Sequence, residues 1–242
     1  MPGELLRGID ISHWQVATRI DWAKLRETHQ FVICRATYGT MRDREVVDHV
    51  RHIRREAFNI GLYHFFRAGQ DVQAQFDVFR VVDEDCGYEA GDIVPALDAE
   101  DDPGAPVGQR TVRPEWSPLA EQLSGLFVAQ YGNASNYITQ RDWARLGRPE
   151  WVLDRPLWVA HWTSAAEPAT PGDADWAIWQ KRVGKLPGVY SGDLDQNVAR
   201  ELILVPHDGP LGMTRGEARR ITGLAGLTAW QSYEDSLKPG GE

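Results

Sequence analysis

The sequence predicts an α/β fold, an irregular TIM-like (β/α) barrel of eight mostly parallel strands with short or missing helices in its second half. Three observations predict it. Strand-like apolar runs alternate with helical patterns, which favours a parallel sheet. Eight such runs in 242 residues favour a closed barrel. The later runs follow one another closely, so little chain remains for helices between them.

The first half of the chain alternates regularly between strands and helices. Apolar runs predict four strands, at residues 6–12, 31–37, 60–66 and 93–97. Pro95 is a mild objection to the fourth strand, because proline cannot donate a hydrogen bond to a neighbouring strand. Helical spacing of apolar residues predicts helices between these strands, at residues 21–28, 43–57 and 71–82.

The second half is less regular. It begins with a long loop, residues 101–118, that contains proline and glycine and whose length suggests function or mobility. We predict a fifth strand over residues 125–131 and a helix over 133–146 that Asn133 caps. Three further strands complete the barrel, at residues 157–161, 176–180 and near 192–197.

The last residues show a different pattern. We expect residues 1–206 to form the barrel and residues 207–242 to form a terminal helix and tail that dock on it, not a separate domain. Thr214 and Glu217 have the spacing of a helix capping box within that tail. A small wall-anchoring element is the alternative interpretation of this segment.

Composition excludes several classes of protein. The net charge is −9, from 26 basic and 35 acidic residues, and the basic residues form no stripe, so we expect no nucleic-acid partner. The N-terminus lacks a basic region followed by a long apolar run, so we expect cytoplasmic synthesis without a signal peptide, and no membrane span. Cys34 and Cys86 are expected to be buried free thiols. We expect a monomer.

The stretch from Asp92 to Asp102 carries the clearest chemical signal. Its apolar run ends in Asp98 and Glu100, which are two residues apart and therefore point to the same face of an extended strand. Two carboxylates held close together do not both ionise freely, so one tends to keep its proton near neutral pH. The pair therefore suggests an acid beside a stabilising charge, and a solvated acidic loop is the alternative interpretation.

Other polar residues follow or end the predicted strands. Because the chemistry of such barrels sits at the C-terminal ends of the strands, these residues are predicted to converge on one site: Asp10, Tyr63, Asp98, Glu100, Tyr131 and Asp195. Asp10 could instead cap a loop, and Asp195 could bind backbone in a turn. His64 and His161 have no metal-binding spacing, so we expect neither a metal nor a cofactor.

The chain resembles a known family, glycoside hydrolase family 25. This family comprises the Chalaropsis-type lysozymes or N-acetylmuramidases and includes phage endolysins. The resemblance begins with Gly8-Ile-Asp-Ile-Ser-His-Trp-Gln15 and Ile20-Asp-Trp22 and covers about residues 7 to 200. Further matching segments occur in the order of the family, and they are Phe31–Thr37, Gly61–Phe65, Pro95–Glu100, Pro156–Ala160, Trp179-Gln180 and Gly192–Asn197. Six matches in order are far more specific than Asp-x-Glu alone.

The resemblance implies hydrolysis of the β-1,4 bond between N-acetylmuramic acid and N-acetylglucosamine in peptidoglycan, with retention of configuration and the substrate's acetamido group as nucleophile. Glu100 matches the catalytic acid and Asp98 its partner. The resemblance assigns supporting roles to Asp10, Asp195 and Tyr63. Trp14, Trp162 and Tyr131 are candidates for stacking on sugar rings.

Departures from the family concern the shape of the groove. The loop at residues 101–118 is long, Ala99 is small, and the segment around Tyr131 matches only loosely. A catalytically inactive glycan-binding or phage-structural barrel module is the alternative from another class. A chitin-directed hydrolase is the alternative within the class, although the chain lacks the Asp-x-x-Asp-x-Asp-x-Glu pattern. Release of the phage type, through a holin, would bring an enzyme without a signal peptide to the wall.

Overall fold

The computed structural model describes residues 4–190 and 192–206. The predicted terminal helix and tail at 207–242 lie outside the described residues. Nine strands are described: β1 Leu6–Ile11, β2 Phe31–Tyr38, β3 Met41–Arg42, β4 Asn59–Phe65, β5 Ile93–Asp98, β6 Ser135–Ile138, β7 Leu157–Ala160, β8 Ile178–Gly184 and β9 Leu194–Ala199.

Eight of these strands close into a barrel, which confirms the predicted fold class. Around the barrel the order is β1, β2, β4, β5, β6, β7, β8 and β9, and β9 returns to pair with β1. The short β3 extends β2 as an antiparallel hairpin outside the ring. All neighbouring pairs in the ring are parallel except those of β9, which runs antiparallel to both β8 and β1.

The helices lie on the outside and are unevenly distributed. They are α1 Trp22–Arg26, α2 Val46–Arg55, α3 Val72–Cys86, α4 Ser117–Tyr131 and α5 Gln140–Arg145. Among the described residues, no α-helix separates β7 from β8 or β8 from β9. This agrees with the predicted loss of helices in the second half.

The predicted fifth strand was wrong. Residues 125–131 form the second half of α4, and the fifth strand of the ring is instead β6, inside the segment predicted as a helix. The physical reason is visible in the buried positions, which are spaced by three or four residues as on one face of a helix: Ala120, Leu123, Phe127 and Tyr131. Gly132 then ends the helix in the left-handed conformation that glycine adopts without strain.

Pro95 is accommodated by an irregularity in the sheet. Between β4 and β5 the register shifts, so that the step from Gly61 to Tyr63 lies opposite the longer step from Ile93 to Ala96. The extra residue is unpaired, and a bulge of this kind is where a sheet tolerates a proline. The strand therefore survives although proline removes one donor.

The lower end of the barrel interior is filled by apolar side chains. These side chains share an inner cluster, and they include Phe31, Ile33, Ile93, Ile178 and Ala199. Gly8 makes room for the ring of Phe31, because a Cβ at this position would lie 2.3 Å from that ring. A second, larger cluster packs the outer face of the sheet against the helices and includes both free, buried cysteines.

Candidate active site

Three strands bring four carboxylates to the upper rim of the barrel. Asp10 lies on β1, Asp98 ends β5, and Glu100 follows two residues later. Asp195 lies near the start of β9, not at the carboxyl end of a strand as predicted. Because β9 is antiparallel, its start reaches the same rim, and Asp195 pairs in register with Asp10. We call these four residues the acid cluster.

Asp10 is held by two amide donors. Gln180 Nε2 and Asn197 Nδ2 lie 3.0 and 2.7 Å from the same oxygen, Asp10 Oδ2. Tyr137 donates to Gln180 Oε1 and Trp158 donates to Asn197 Oδ1, which fixes the direction of both amides. Since Oδ2 accepts from both, a proton on Asp10 belongs on Oδ1.

Burial and mutual repulsion raise the pKa values of the acid cluster. The pKa of Asp10 rises to about 8, mainly because it is buried and then because Asp195 is charged. Burial also raises the pKa of Asp195 to about 6. Burial and then the charge of Glu100 raise the pKa of Asp98 well above its ordinary value. Asp10 therefore keeps a proton at neutral pH, which relieves the repulsion among its neighbours.

Glu100 has the electrostatic setting of a general acid. Its side chain is partly exposed at the rim, and its pKa rises to about 7. Burial is the largest cause, followed by the charges of Asp142, Asp195 and Asp101. The sequence predicted that the charge of Asp98 would raise the pKa of Glu100, but Asp98 is not among these main contributors. A carboxyl group with this pKa can give up and recover a proton near neutral pH.

Asp142 is a part of the site that the sequence did not indicate. It is fully buried in the first turn of α5, where Thr139 Oγ1 and Arg141 Nε donate to its oxygens over 2.6 and 3.1 Å. The neighbouring Arg145 binds Asp101 over 2.8 Å and so ties α5 to the chain that follows Glu100. The signal available in the sequence was the spacing of Thr139 and Asp142, which is typical of a helix start.

Asp98 presents an unused acceptor. Within the described residues its Oδ1 atom is buried and has no hydrogen-bond partner. A buried carboxylate oxygen without a donor is costly, so it marks a position where a donor from outside the chain would be stabilising.

The predicted aromatic residues divide into three groups. Tyr63 lies buried on β4, within the field of Asp10 and Asp98, as the prediction of convergence requires. Trp14 and Trp162 follow β1 and β7 and are 70% and 53% exposed. Tyr131 does not reach the site. It ends α4, is 1% exposed, and donates to Asp83 between the helices, so it cannot stack on a sugar.

Tyr137, not Tyr131, is the tyrosine that this part of the chain contributes. It lies on β6 beside Asp98 in register, and its hydroxyl donates to Gln180. Its ring meets Trp158 edge to face, with 4.8 Å between the centroids. Because the fifth strand was predicted at residues 125–131 and not at β6, the sequence indicated Tyr131, which is six residues before Tyr137.

The comparison with protein families decides the identity of the chain. The family described as Glycosyl hydrolases family 25 matches residues 9–189, about three quarters of the sequence. The chain belongs to this family. The expected family is thereby confirmed, as is its class of enzyme, a glycoside hydrolase. Membership favours an enzyme over an inactive binding module.

Solved structures of family 25 enzymes resemble the chain over its barrel. A lysozyme from Streptomyces coelicolor is 26% identical, with a TM-score of 0.69 over 80% of this chain and 91% of that chain. A muramidase from Acremonium alcalophilum is 24% identical, with a TM-score of 0.66 over 79% and 92%. The catalytic domain of an endolysin from bacteriophage P40 of Listeria monocytogenes is 21% identical, with a TM-score of 0.62 over 81% and 93%.

These neighbours carry different weight. The two below 25% identity show the fold alone, and the lysozyme also supports peptidoglycan hydrolysis. No curated protein sequence matched the chain.

Among residues 4–190 and 192–206, no helix has the length and apolar character to cross a membrane. In the same residues, no three side chains of the types that bind metals are grouped to hold a metal ion.

Proposed function

We propose that this glycoside hydrolase cleaves the β-1,4 bond between N-acetylmuramic acid and N-acetylglucosamine in bacterial peptidoglycan, with retention of configuration. The observation that carries the proposal is the acid cluster. It combines a partly exposed Glu100, whose pKa is about 7, with a buried Asp98 that has a free acceptor oxygen. The assignment of these residues to the reaction is part of the proposal.

Glu100 is the general acid in this mechanism. Its proton passes to the glycosidic oxygen as the bond to the leaving sugar breaks, and positive charge develops at the anomeric carbon. In the second step Glu100, now a carboxylate, accepts a proton from the water that attacks the same carbon. A pKa of about 7 suits both steps near neutral pH.

Asp98 orients the substrate's own nucleophile. Its free Oδ1 accepts the N–H of the substrate's acetamido group, so that the carbonyl oxygen of that group faces the anomeric carbon and attacks it. The ring that forms carries positive charge, and this charge favours the ionised form of Asp98, which in turn stabilises the ring. The proton that Asp10 keeps on Oδ1 supports this role, because a charged Asp10 would raise the pKa of Asp98 further.

The remaining side chains bind the glycan. Tyr63 and Asp195 face the same space from β4 and β9, where they can donate to or accept from sugar hydroxyls and the developing ring. Trp14 and Trp162 are exposed on the loops after β1 and β7, where flat rings can stack on sugar faces. Tyr131 has no part in this binding.

The cellular setting completes the proposal. The enzyme acts as a monomer on peptidoglycan, without a nucleic-acid partner or a cofactor. It reaches the wall after release of the phage type. The net charge of −9 is consistent with the lack of a nucleic-acid partner, because nucleic-acid binding favours basic surfaces.

Digestion of purified peptidoglycan tests the function. Wild type should release new reducing ends on N-acetylmuramic acid and leave chitin oligomers intact, and NMR of the first-formed product should show the β-anomer. Glu100→Gln should lower kcat roughly 10³-fold, since it removes general acid catalysis while keeping the shape of the side chain. Asp98→Asn should lower kcat with a smaller change in KM.

Three results would contradict parts of this proposal. Undiminished activity of Glu100→Gln would remove it as the acid. An α-anomer as the first-formed product would mean that the reaction inverts the configuration. Binding without cleavage by wild type would favour the inactive module after all.

A further inference from the structure

A cavity of about 590 Å³ lies on the outer wall of the barrel, away from the acid cluster. It is bounded by the end of α1 on one side and by the outward faces of β1, β8 and β9 on the other. We call it the basic groove, because four cations line it: Arg7, Lys24, Lys181 and Arg182. Nothing in the proposed glycosidase mechanism uses these residues.

The two faces of β9 separate the basic groove from the catalytic site. Asp195 faces the rim, and the side chain of Asn197 binds Asp10 inside the barrel. The alternating residues Gln196 and Val198 line the groove outside, and Asn197 between them also borders it although its side chain points inward. A ligand in the groove would therefore lie on the opposite side of a single strand from the acid cluster and would not compete with the glycan.

Most of the charge in the groove is uncompensated, although Lys181 Nζ lies 4.5 Å from the centroid of the Trp179 ring and its charge acts on Glu167. The chain has a net charge of −9, yet only one carboxylate, Glu27, lines the groove beside its four cations. Within the described part of the chain, none of these four makes an ion pair. Elsewhere arginines such as Arg35, Arg54 and Arg67 bind buried aspartates and so serve the fold. Cations that repel one another without such partners favour an anion from outside.

The side chains of the groove are partly preorganised. Arg182 Nε donates to Gln196 Oε1 over 2.8 Å, which holds the guanidinium in place and leaves its terminal nitrogens for another acceptor. Arg7 and Arg182 both lie close enough to His29 to lower its pKa, after burial as the main cause. Both guanidinium groups therefore act on the same side chain, His29, which also lines the groove.

We propose that the basic groove binds a polyol phosphate polymer, a chain of phosphodiesters joined by small polyols and not a nucleic acid, with its phosphates on the four cations. Guanidinium groups match phosphate oxygens with two parallel hydrogen bonds, and lysines add point charges. The volume is typical of ligand sites, and four cations lining one groove can contact more than one phosphate. Such binding would hold the enzyme on an anionic polymer, and it does not depend on the glycosidase mechanism.

Calorimetric titration of the full chain with a synthetic glycerol phosphate oligomer tests this proposal. Wild type should bind, with an affinity that falls as salt rises. Arg7→Gln/Arg182→Gln should weaken binding by roughly tenfold or more, because two charge-assisted contacts are lost. Arg51→Gln/Arg80→Gln removes the same charge from exposed positions on α2 and α3 and should bind like wild type.

His29 provides a readout inside the groove. Bound phosphate should raise its pKa in an NMR titration, since an anion would oppose the effect of Arg7 and Arg182. Cleavage of phosphate-free glycan chains should be the same for both double variants, which separates this test from that of the catalytic proposal. Equal loss of binding in the two double variants, equal affinity for poly-glutamate, or an unchanged His29 would each overturn the proposal.

Discussion

The lower end of the barrel interior and the acid cluster at its rim are built from the same strands. On β1, Gly8 makes room for Phe31 at the lower end, and Asp10 stands two residues higher at the rim. On β9, Ala199 is fully buried at the lower end, while Asp195 faces Asp10 across the strand pair. On β1, two residues of a strand, roughly 6.6 Å, therefore separate apolar packing from the acid cluster.

The difference shows what each end contributes. Apolar side chains at the lower end stabilise the barrel at every pH, since nothing in them titrates. The acid cluster costs stability, because buried carboxylates resist ionisation and because Asp10 and Asp195 repel one another when both are ionised. The rim can bear this cost because the lower end and the outer layer hold the strands in register. Substitutions at the two ends should therefore separate stability from catalysis.

The largest effect is expected at the lower end. Phe31→Ala should lower the free energy of unfolding by about 3–5 kcal/mol, because it empties a fully buried site. The kcat of the folded fraction should stay within a few-fold of wild type, since the acid cluster is not touched. Chemical denaturation and peptidoglycan digestion below the unfolding temperature measure both quantities.

Val81→Ala is the control for this loss, because Val81 is 57% exposed on α3 and should change stability little. If Phe31→Ala lowered kcat as far as Glu100→Gln does, the two ends of the interior would not be independent.

A smaller effect on the free energy of unfolding is expected at Asp10, where substitution should stabilise the protein at alkaline pH and not destabilise it. Its pKa is about 8 in the folded protein and near 3.8 when unfolded, so the folded state binds the extra proton between these values. Stability therefore falls as pH rises from 6.5 to 8, by about 1–2 kcal/mol from this group. Asp10→Asn should remove that part of the fall, because an amide mimics the protonated form and keeps one oxygen for Gln180 and Asn197.

Glu100, whose pKa is about 7, also titrates between pH 6.5 and 8, so the part due to Asp10 is the difference between wild type and Asp10→Asn. Burial lowers the pKa of His64 to about 4, and its effect on stability ends near pH 6.5, below the range compared. Asp77→Asn, an exposed change on α3, should keep the wild-type pH dependence. A pH dependence in Asp10→Asn as steep as in wild type would mean that Asp10 is ionised throughout.

Much of the rim could be predicted from the sequence, because its residues belong to patterns with a fixed period. Asp98 and Glu100 share a face through the alternation of a strand, and Asp10 stands out as a carboxylate between two isoleucines. The first four strands and their helices follow from apolar spacing in the same way. In these segments local periodicity and tertiary packing agree.

The remainder depended on contacts between distant segments. A short apolar run such as residues 125–131 fits either a strand or one face of a helix, and only packing of α4 against α3 decides between them. The direction of β9 is likewise set by its pairing with β8 and β1. Asp195 was predicted at the end of a parallel strand, and it reaches the rim because it lies at the start of an antiparallel one. Asp142 reaches Glu100 only through the docking of α5.

The smallest effect is expected from Asp142, which acts on Glu100 without belonging to the acid cluster. Its charge is the largest cause of the raised pKa of Glu100 after burial. Asp142→Asn should therefore lower the pKa of Glu100 and move the alkaline limb of the kcat/KM profile to lower pH. A shift of about half a pH unit corresponds to ~0.7 kcal/mol. The Thr139 cap of α5 accepts from the backbone of residue 142 and is retained. Asp77→Asn, which removes the same charge elsewhere, should leave the limb in place. An unmoved limb in Asp142→Asn would mean that burial alone sets the acidity of Glu100, and the electrostatic site would then be confined to the barrel rim.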